Sequence, residues 1–246
     1  MLKVILSGCG GKMGAVVAGV APQNHAEIVA GIDKSTVARA YPVFESPSLC
    51  DIKADVVIDF SHPSALGGLL DYCAAKNLPA VIATTGLTEE LRQKLQKTGE
   101  KTAIFYASNL SVGVFVLNKL VKQATLDLTG FDIEITERHH AQKIDAPSGT
   151  ALTLLNSIQS VLPSLHPVFD RHAVSKKRDK NEIGIHAVRG GTIMGEHEIL
   201  FAGENEIIEI RHAALSKDIF ASGAYRAARF IVSQKPGLYG MGDLIN

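Results

Sequence analysis

Residues 4–14 read Val4-Ile5-Leu6-Ser7-Gly8-Cys9-Gly10-Gly11-Lys12-Met13-Gly14, a short apolar run that leads directly into a glycine-rich turn. The apolar run predicts a β-strand, and the residues from Met13 to Ala21 predict a helix behind it. Glycines between a strand and a helix let the backbone approach a pyrophosphate, whose charge then faces the free N–H groups at the helix N-terminus. A tight turn that binds nothing would use the same residues, so the motif needs support from elsewhere in the chain.

The same alternation of strand and helix continues to about residue 109. Short apolar runs at 28–30, 56–58 and 81–83 predict strands buried on both faces, as in a parallel sheet. Helices are predicted between them at 63–76 and 88–97. The N-terminal half is therefore expected to be a Rossmann-like, doubly wound α/β domain.

The pattern changes in the second half of the chain. A long helix is predicted at 111–128 and a shorter one at 150–161, and an exposed polar loop at 171–180. Strand-like runs lie at 132–138, 183–189, 196–202 and 206–213. These elements predict an α+β domain with a mostly antiparallel sheet.

The C-terminal stretch 218–233 predicts an amphipathic helix that returns to the first domain, with Ile219, Phe220, Tyr225 and Phe230 on its buried face. The expected domains are therefore 1–109 with 218–246, and 110–217.

Composition excludes several classes of protein. The 246 residues hold 25 Lys and Arg against 25 Asp and Glu, so the chain lacks the basic excess of a nucleic-acid binder. Three cysteines without a C-x-x-C pair argue against a disulfide framework or a zinc knuckle and favour a reducing compartment. No apolar run is long enough for a membrane span, and no secretory signal is recognised. We expect a cytoplasmic protein.

An acidic residue supports the interpretation of the glycine turn as a dinucleotide site. Asp33 ends the second predicted strand, 19 residues after Gly14, where a carboxylate would bind the adenosine ribose hydroxyls. Lys34 could pair with a 2′-phosphate, so use of both NADH and NADPH is expected, although a solvated lysine would look the same. Cys9 is interpreted as an inert small side chain, and an activated thiol at the helix N-terminus is the alternative.

The densest set of chemically active side chains lies between residues 134 and 151. A predicted strand leads to His139, His140 and Lys143, and a new helix follows, with Asp145 expected as its N-cap. Ser148, Gly149 and Thr150 would lie in its first turn, where free N–H groups bind a carboxylate or a phosphate. A histidine and an ammonium beside an anion site suit the reduction of an acidic small molecule. Histidines with a purely structural role are the alternative, and no metal site is expected.

The block His139-His140-Ala141-Gln142-Lys143-Ile144-Asp145-Ala146-Pro147-Ser148-Gly149-Thr150-Ala151 resembles the signature of the 4-hydroxy-tetrahydrodipicolinate reductase family. The resemblance extends over nearly the whole chain. It also includes the Gly8 to Gly14 turn, Phe60-Ser61-His62-Pro63, Thr84-Thr85-Gly86, Ala107 to Val114 and Arg189-Gly190-Gly191.

This resemblance implies reduction of a cyclic dicarboxylate with NADH or NADPH in diaminopimelate and lysine biosynthesis. It also implies a homotetramer joined through the second domain, 110–217, which would bind the substrate as well. It implies that His139 is the catalytic proton donor and acceptor, that Lys143 is the proton donor after hydride delivery, and that His140, Lys143, Gly149 and Thr150 bind the substrate. The implied cofactor-binding residues are Gly8, Cys9, Gly10, Gly11, Lys12, Met13, Asp33, Lys34, Ala83, Thr84, Thr85, Ala107, Ser108, Asn109 and Leu110.

Ala83 stands where the family commonly has Gly, and Leu110 replaces a frequent aromatic residue or Met. Both differences bear on cofactor preference. Two other functions stay open from the residues alone: a dinucleotide-sensing protein of the same fold without turnover, and a related amino-acid or sugar dehydrogenase.

Overall fold

The computed structural model describes residues 1–35, 38–173 and 175–245. It divides the chain into two compact units, Met1–Val112 with Lys217–Asn246, and Gly113–Ser216. The strands are β1 (Leu2–Ser7), β2 (Ala26–Ile32), β3 (Val43–Phe44), β4 (Val56–Asp59), β5 (Ala80–Ile82), β6 (Ala103–Tyr106), β7 (Asp132–His139), β8 (His166–Val168), β9 (Glu182–Arg189), β10 (Gly195–Ala202), β11 (Ile207–Ala214) and β12 (Gly237–Tyr239). The helices are α1 (Lys12–Gly19), α2 (Pro63–Lys76), α3 (Glu89–Gly99), α4 (Val112–Asp127), α5 (Gly149–Gln159), α6 (Asp218–Ile231) and α7 (Met241–Ile245).

The first unit is built on a parallel sheet with the strand order β12-β6-β5-β4-β1-β2-β3. Its central strands are buried on both faces, as the unbroken apolar runs predicted; Val4, Ile5 and Leu6 in β1 are fully buried. The order of the strands reverses direction between β1 and β4, because the chain proceeds from β1 to β2 on one side and from β4 to β5 on the other. The Rossmann-like α/β fold expected from the sequence is confirmed.

Helix α6 packs on this sheet with a face of small residues. Ala221, Gly223 and Ala224 are buried, and the buried Tyr225 hydroxyl donates a hydrogen bond to the carbonyl of Val17 at 2.8 Å. The prediction of the buried face was correct for Tyr225 and wrong in part for Ile219, Phe220 and Phe230, because these three side chains are only half-buried. Small side chains let the helix approach closely: a Cβ at Gly223 would collide with the carbonyl oxygen of Leu110.

The second unit is a five-stranded sheet with the order β11-β10-β7-β9-β8. The β11–β10 and β10–β7 pairs are antiparallel, whereas β7–β9 and β9–β8 are parallel. The expected mostly antiparallel sheet is thus a mixed one. The chain between β7 and β9 contains α5, and such a crossover connection returns the next strand parallel to the first.

Alternate residues of the central strands form the core of this unit. Ile133 and Ile135 in β7 pack with Ile199 and Phe201 in β10, and with residues of α4 and α5. Because side chains alternate along a strand, Glu137 and His139 lie on the same face of β7 as Ile133 and Ile135. Among the described residues, no helix is long and apolar enough to cross a membrane.

Candidate active site

A cavity of about 630 Å³ opens in the first unit at the carboxyl ends of its strands. Its wall combines residues that follow β1 (Gly8, Gly11), β2 (Asp33, Lys34) and β4 (Phe60, Ser61, His62), with Glu45, Ser46 and Pro47. The cavity therefore lies where the strand order reverses, and open α/β sheets bind their ligands at this place.

The glycine turn is shaped by three close backbone approaches. Gly8 has a φ of +78°, and a Cβ there would lie 2.6 Å from the carbonyl oxygen of Phe60. A Cβ at Gly10 would lie 2.9 Å from the Asp33 carboxylate, and one at Gly14 would overlap the carbonyl oxygen of Gly8. Gly11 differs, because a Cβ there meets only the Gly8 carbonyl at 3.4 Å, an ordinary contact.

Gly11 is the N-cap of α1, and among the residues that the structure describes no side chain caps this helix end. The first N–H groups of α1 are therefore available to a ligand, and Gly11 lines the cavity without a side chain in the way. This arrangement fits the pyrophosphate of a dinucleotide.

Asp33, directly after β2, stabilises the glycine turn by hydrogen bonds. Its carboxylate accepts hydrogen bonds from the N–H groups of Gly10 and Ser35, each at 2.9 Å. Lys34 is exposed at the cavity wall. Cys9 is buried, and burial together with the nearby Asp33 charge raises the pKa of its thiol, so Cys9 is not an activated nucleophile.

A buried carboxylate, which was not predicted as a site residue, connects the carboxyl ends of β4 and β5. Asp59, the last residue of β4, accepts a hydrogen bond from the Thr84 hydroxyl at 2.6 Å and another from the Ser61 N–H at 3.2 Å. Burial raises the pKa of Asp59, and the hydrogen bonds oppose this shift in part.

The remaining residues of the expected cofactor set have these places. Lys12 and Met13 start α1, Ala83 and Thr85 follow β5, and Ala107, Ser108, Asn109 and Leu110 follow β6, with Ala107 and Leu110 buried and Ser108 exposed. Of that set, Gly8, Gly11, Asp33 and Lys34 line the cavity.

In the second unit, a network of hydrogen bonds surrounds the fully buried carboxylate of Glu137. It accepts from His139 Nδ1 at 2.6 Å, from both Nη atoms of Arg189 at 2.7 and 2.8 Å, and from the Ser148 N–H at 3.0 Å. Burial alone would raise the pKa of Glu137, but the hydrogen bonds from Arg189, His139 and Ser148 outweigh it and hold the pKa below its usual value. Glu137 is therefore ionised at neutral pH.

A second histidine lies against the first. The rings of His139 and His197 meet edge to face with centroids 5.3 Å apart, and His197 Nε2 lies 2.9 Å from Ser148 Oγ. Burial lowers the pKa of His197 to about 4, so this ring is neutral at physiological pH.

The loop after β7 carries Lys143, whose Nζ lies 2.8 Å from Asp145 Oδ1. Hydrogen bonding by this ammonium lowers the pKa of Asp145. Asp145 was expected to be the N-cap of the next helix, and this is wrong. Ser148 caps α5, since its hydroxyl accepts from the Ala151 N–H at 3.2 Å, whereas the Asp145 carboxylate pairs with Lys143.

The expected substrate residues lie around the same loop. His140 is the first residue of this loop and is half-buried, Gly149 is the exposed first residue of α5, and Thr150 follows in the first turn. The unit therefore holds a histidine, an ammonium and a helix N-terminus on one continuous segment, residues 139–150.

Glu137, Arg189 and His197 were missed as site residues, although a sequence signal existed for the first. A carboxylate two residues before a histidine on a strand shares its face, and this face of β7 is otherwise apolar. Arg189 and His197 come from β9 and β10, and their approach depends on strand register, which the local sequence does not reveal.

Comparison with known proteins gives consistent matches over the whole chain. The family model "Dihydrodipicolinate reductase, N-terminus" matches residues 2–110, and "Dihydrodipicolinate reductase, C-terminus" matches residues 113–245. A 4-hydroxy-tetrahydrodipicolinate reductase of Caldanaerobacter subterraneus is 49% identical over all of this chain and 98% of its own. The enzyme of the same name from Staphylococcus epidermidis is 47% identical over 99% of this chain and all of its own.

Solved structures give a similar result. A dipicolinate-bound dihydrodipicolinate reductase from Paenisporosarcina covers all of both chains with a TM-score of 0.83 and 29% identity. An amine dehydrogenase from Mycobacterium smegmatis has a TM-score of 0.65 at 11% identity, over 96% of this chain and 94% of its own, and shares the fold alone.

Proposed function

The chain belongs to the dihydrodipicolinate reductase family, and on this basis we propose that it reduces 4-hydroxy-tetrahydrodipicolinate to tetrahydrodipicolinate, with loss of water, in diaminopimelate and lysine biosynthesis. The reaction consumes one hydride and one proton. NADH or NADPH, when bound, supplies the hydride. The protein must then bind an anionic ring and deliver a proton to it.

The observation that carries the proposal is the Glu137–His139 pair beside Lys143 and the N-terminus of α5. His139 is half-buried and is held at Nδ1 by Glu137, which leaves Nε2 for a ligand. The N-terminus of α5 offers the N–H of Gly149 to a carboxylate of the substrate. A dicarboxylate matches this combination better than a neutral substrate does.

Lys143 is assigned as the donor of the proton that follows the hydride, and His139 as a proton donor and acceptor. The Asp145 carboxylate lies 2.8 Å from Lys143 Nζ and so holds this ammonium on the loop after β7. A carboxylate of the substrate can take the place of Asp145 on the same ammonium. His140, Gly149 and Thr150 are the further substrate contacts.

The cavity of the first unit is assigned to the dinucleotide. The uncapped N-terminus of α1 would bind the pyrophosphate, and Asp33 would accept hydrogen bonds from the adenosine ribose. Asp33 repels a 2′-phosphate and Lys34 attracts it, so we propose that NADH serves at least as well as NADPH. Lys34 contributes less specificity than an arginine would, since its ammonium cannot form two parallel hydrogen bonds.

The test is oxidation of NADH and NADPH by the purified protein, followed at 340 nm, with the substrate produced in place from pyruvate and aspartate semialdehyde by the preceding synthase. We expect oxidation only when both precursors are present. His139→Gln and Lys143→Ala should each lower kcat by about 10²-fold or more while NADH binding is retained. Cofactor binding without any turnover would instead indicate a sensor, and turnover of other substrates would indicate a different dehydrogenase.

We also propose a homotetramer formed through the second unit. Ile207 and Ile208 on the edge strand β11 are exposed, as a surface covered in an oligomer would be. Light scattering on the purified protein measures the assembly directly. The cytoplasmic location stays a prediction from the cysteine content.

A further inference from the structure

Glu137 connects three parts of the second unit through one carboxylate. Its Oε2 accepts from His139 Nδ1, and its Oε1 accepts from the N–H of Ser148, the N-cap of α5. Both oxygens also accept from Arg189, whose Nη2 donates a second hydrogen bond to the carbonyl of Asp145 at 2.7 Å. The group that faces the ligand, the helix N-terminus and the loop that carries Lys143 are thus fixed to one another.

The hydrogen bonds also determine the state of the imidazole ring. Arg189 keeps Glu137 ionised, and an ionised carboxylate only accepts hydrogen bonds. His139 Nδ1 must therefore carry a proton in both the neutral and the charged ring. The lone pair of the neutral ring, or the second proton of the charged ring, is then at Nε2.

Two residues of β10 lie beside the ring of His139. Gly195, the first residue of β10, lies beside it, and a Cβ at this position would be only 3.0 Å from Nε2. The neighbouring ring of His197 packs against His139 edge to face. Rotation of the His139 ring would place carbon instead of Nδ1 against the buried charge of Glu137, at the cost of a charge-assisted hydrogen bond.

We propose that Glu137 is a positioning residue for the reduction: it fixes His139 in the tautomer with Nδ1 protonated, so that Nε2 exchanges the proton with the substrate, and it holds the N-terminus of α5 at a constant distance from that atom. This inference rests on the proposed reductase function. Glu137 itself lies behind the ring and does not contact the substrate, because its carboxylate is fully buried.

Glu137→Gln tests the proposal, since it keeps the shape of the side chain and removes the charge. An amide can present either its oxygen or its nitrogen to Nδ1, so the tautomer is no longer fixed. We expect kcat to fall by about 10²-fold. The dissociation constant of NADH should stay unchanged, because the proposed dinucleotide cavity is lined by residues of the first unit only.

The same strand offers a matched control. Glu134, also in β7, accepts from His186 Nε2 at 2.8 Å and from Arg178 Nε at 3.1 Å, so it forms a similar cluster of glutamate, histidine and arginine away from residues 139–150. Glu134→Gln should retain the kcat of the wild-type enzyme. An equal loss in both variants would show a general effect on the sheet and would overturn the proposal.

A second measurement needs no change at Glu137. Nitrogen-15 spectra of labelled wild-type protein, with the His139 signals assigned by their loss in His139→Gln, report which ring nitrogen carries the proton. We expect a strongly deshielded proton on Nδ1 and a nonprotonated Nε2 in the neutral ring. A neutral ring protonated at Nε2 would overturn the proposal even if Glu137→Gln fails to fold.

The two failures are distinguishable. An inactive wild-type protein would contradict the proposed function and leave the tautomer measurement valid. An active wild-type enzyme with an equally active Glu137→Gln variant would contradict the positioning role alone.

Discussion

Three glycine substitutions, in the turn between β1 and α1 and in α1 itself, distinguish binding of the dinucleotide from folding of that turn. Gly11→Ala adds a methyl group at the cavity wall without a close protein contact, and the φ of −78° at this position suits alanine. Gly14→Ala places a methyl group against the Gly8 carbonyl, so the turn must shift. Gly19→Ala, at the other end of α1, has no neighbour within 4 Å and serves as the control.

The expected magnitudes follow from these contacts. The methyl group of Gly11→Ala should cost the pyrophosphate one charge-assisted hydrogen bond, about 1.5–3 kcal/mol, which raises the Kd of NADH by about 10- to 150-fold. Its melting temperature should stay unchanged. Gly14→Ala should lose about 1–3 kcal/mol of stability as well as binding. Gly19→Ala should gain about 0.5–1 kcal/mol from its higher helix propensity.

Fluorescence titration with NADH and thermal melting of the ligand-free proteins measure both quantities. We expect only Gly11→Ala to combine a normal melting temperature with weak NADH binding. Normal NADH affinity in Gly11→Ala would refute the assignment of the α1 N-terminus to the pyrophosphate.

Three further predictions concern cofactor choice, stability and the histidine. Lys34→Ala should lower kcat/KM for NADPH by about 2- to 5-fold, because an exposed ion pair contributes little binding energy. The kcat/KM for NADH should stay unchanged, and an equal loss with both cofactors would exclude a contact between Lys34 and the 2′-phosphate. Burial raises the pKa of Asp59 above its unfolded value, so the folded state loses stability as the pH rises from the unfolded pKa through the folded one. Asp59→Asn should therefore gain melting temperature relative to wild type as the pH is raised from about 4 to 8, and a pH-independent difference would contradict this. Gly195→Ala should lower kcat by about 10²-fold, because its Cβ would lie 3.0 Å from His139 Nε2 and the φ of +155° at this position disfavours alanine. Gly190→Ala, with no neighbour within 4 Å, should be active. Similar kcat values in the two variants would contradict a role for the backbone beside the ring.

The first unit was largely predictable because its information is local. An unbroken apolar run such as Val4-Ile5-Leu6 needs burial on both faces, and the glycine turn behind it accounts for the strand, the turn and the helix together. The short strands β3 and β12 were missed, since each covers only two or three residues and is defined by pairing with a neighbour.

The second unit was less predictable because its direction and contacts are long-range. Strand runs such as 183–189 were recognised, but the parallel pairing of β7 with β9 depends on the crossover between them. Likewise, the segment 139–150 was found as a chemical cluster, whereas its attachment to Arg189, 50 residues after His139, appears only in the fold. The Asp145 error has a local cause, because Asp and Ser are both good N-caps and only the backbone conformation at Ser148 distinguishes them.

The most direct test of the central claim is transfer of deuterium from NADH to the product. The coupled reaction is run with NADH carrying deuterium at both C4 positions, and the product is examined by mass spectrometry. Hydride transfer to the cyclic dicarboxylate predicts tetrahydrodipicolinate that carries one deuterium, formed by the wild-type protein and far more slowly by His139→Gln. Oxidation of NADH with no deuterium in this product, or product formation without the protein, would contradict the account.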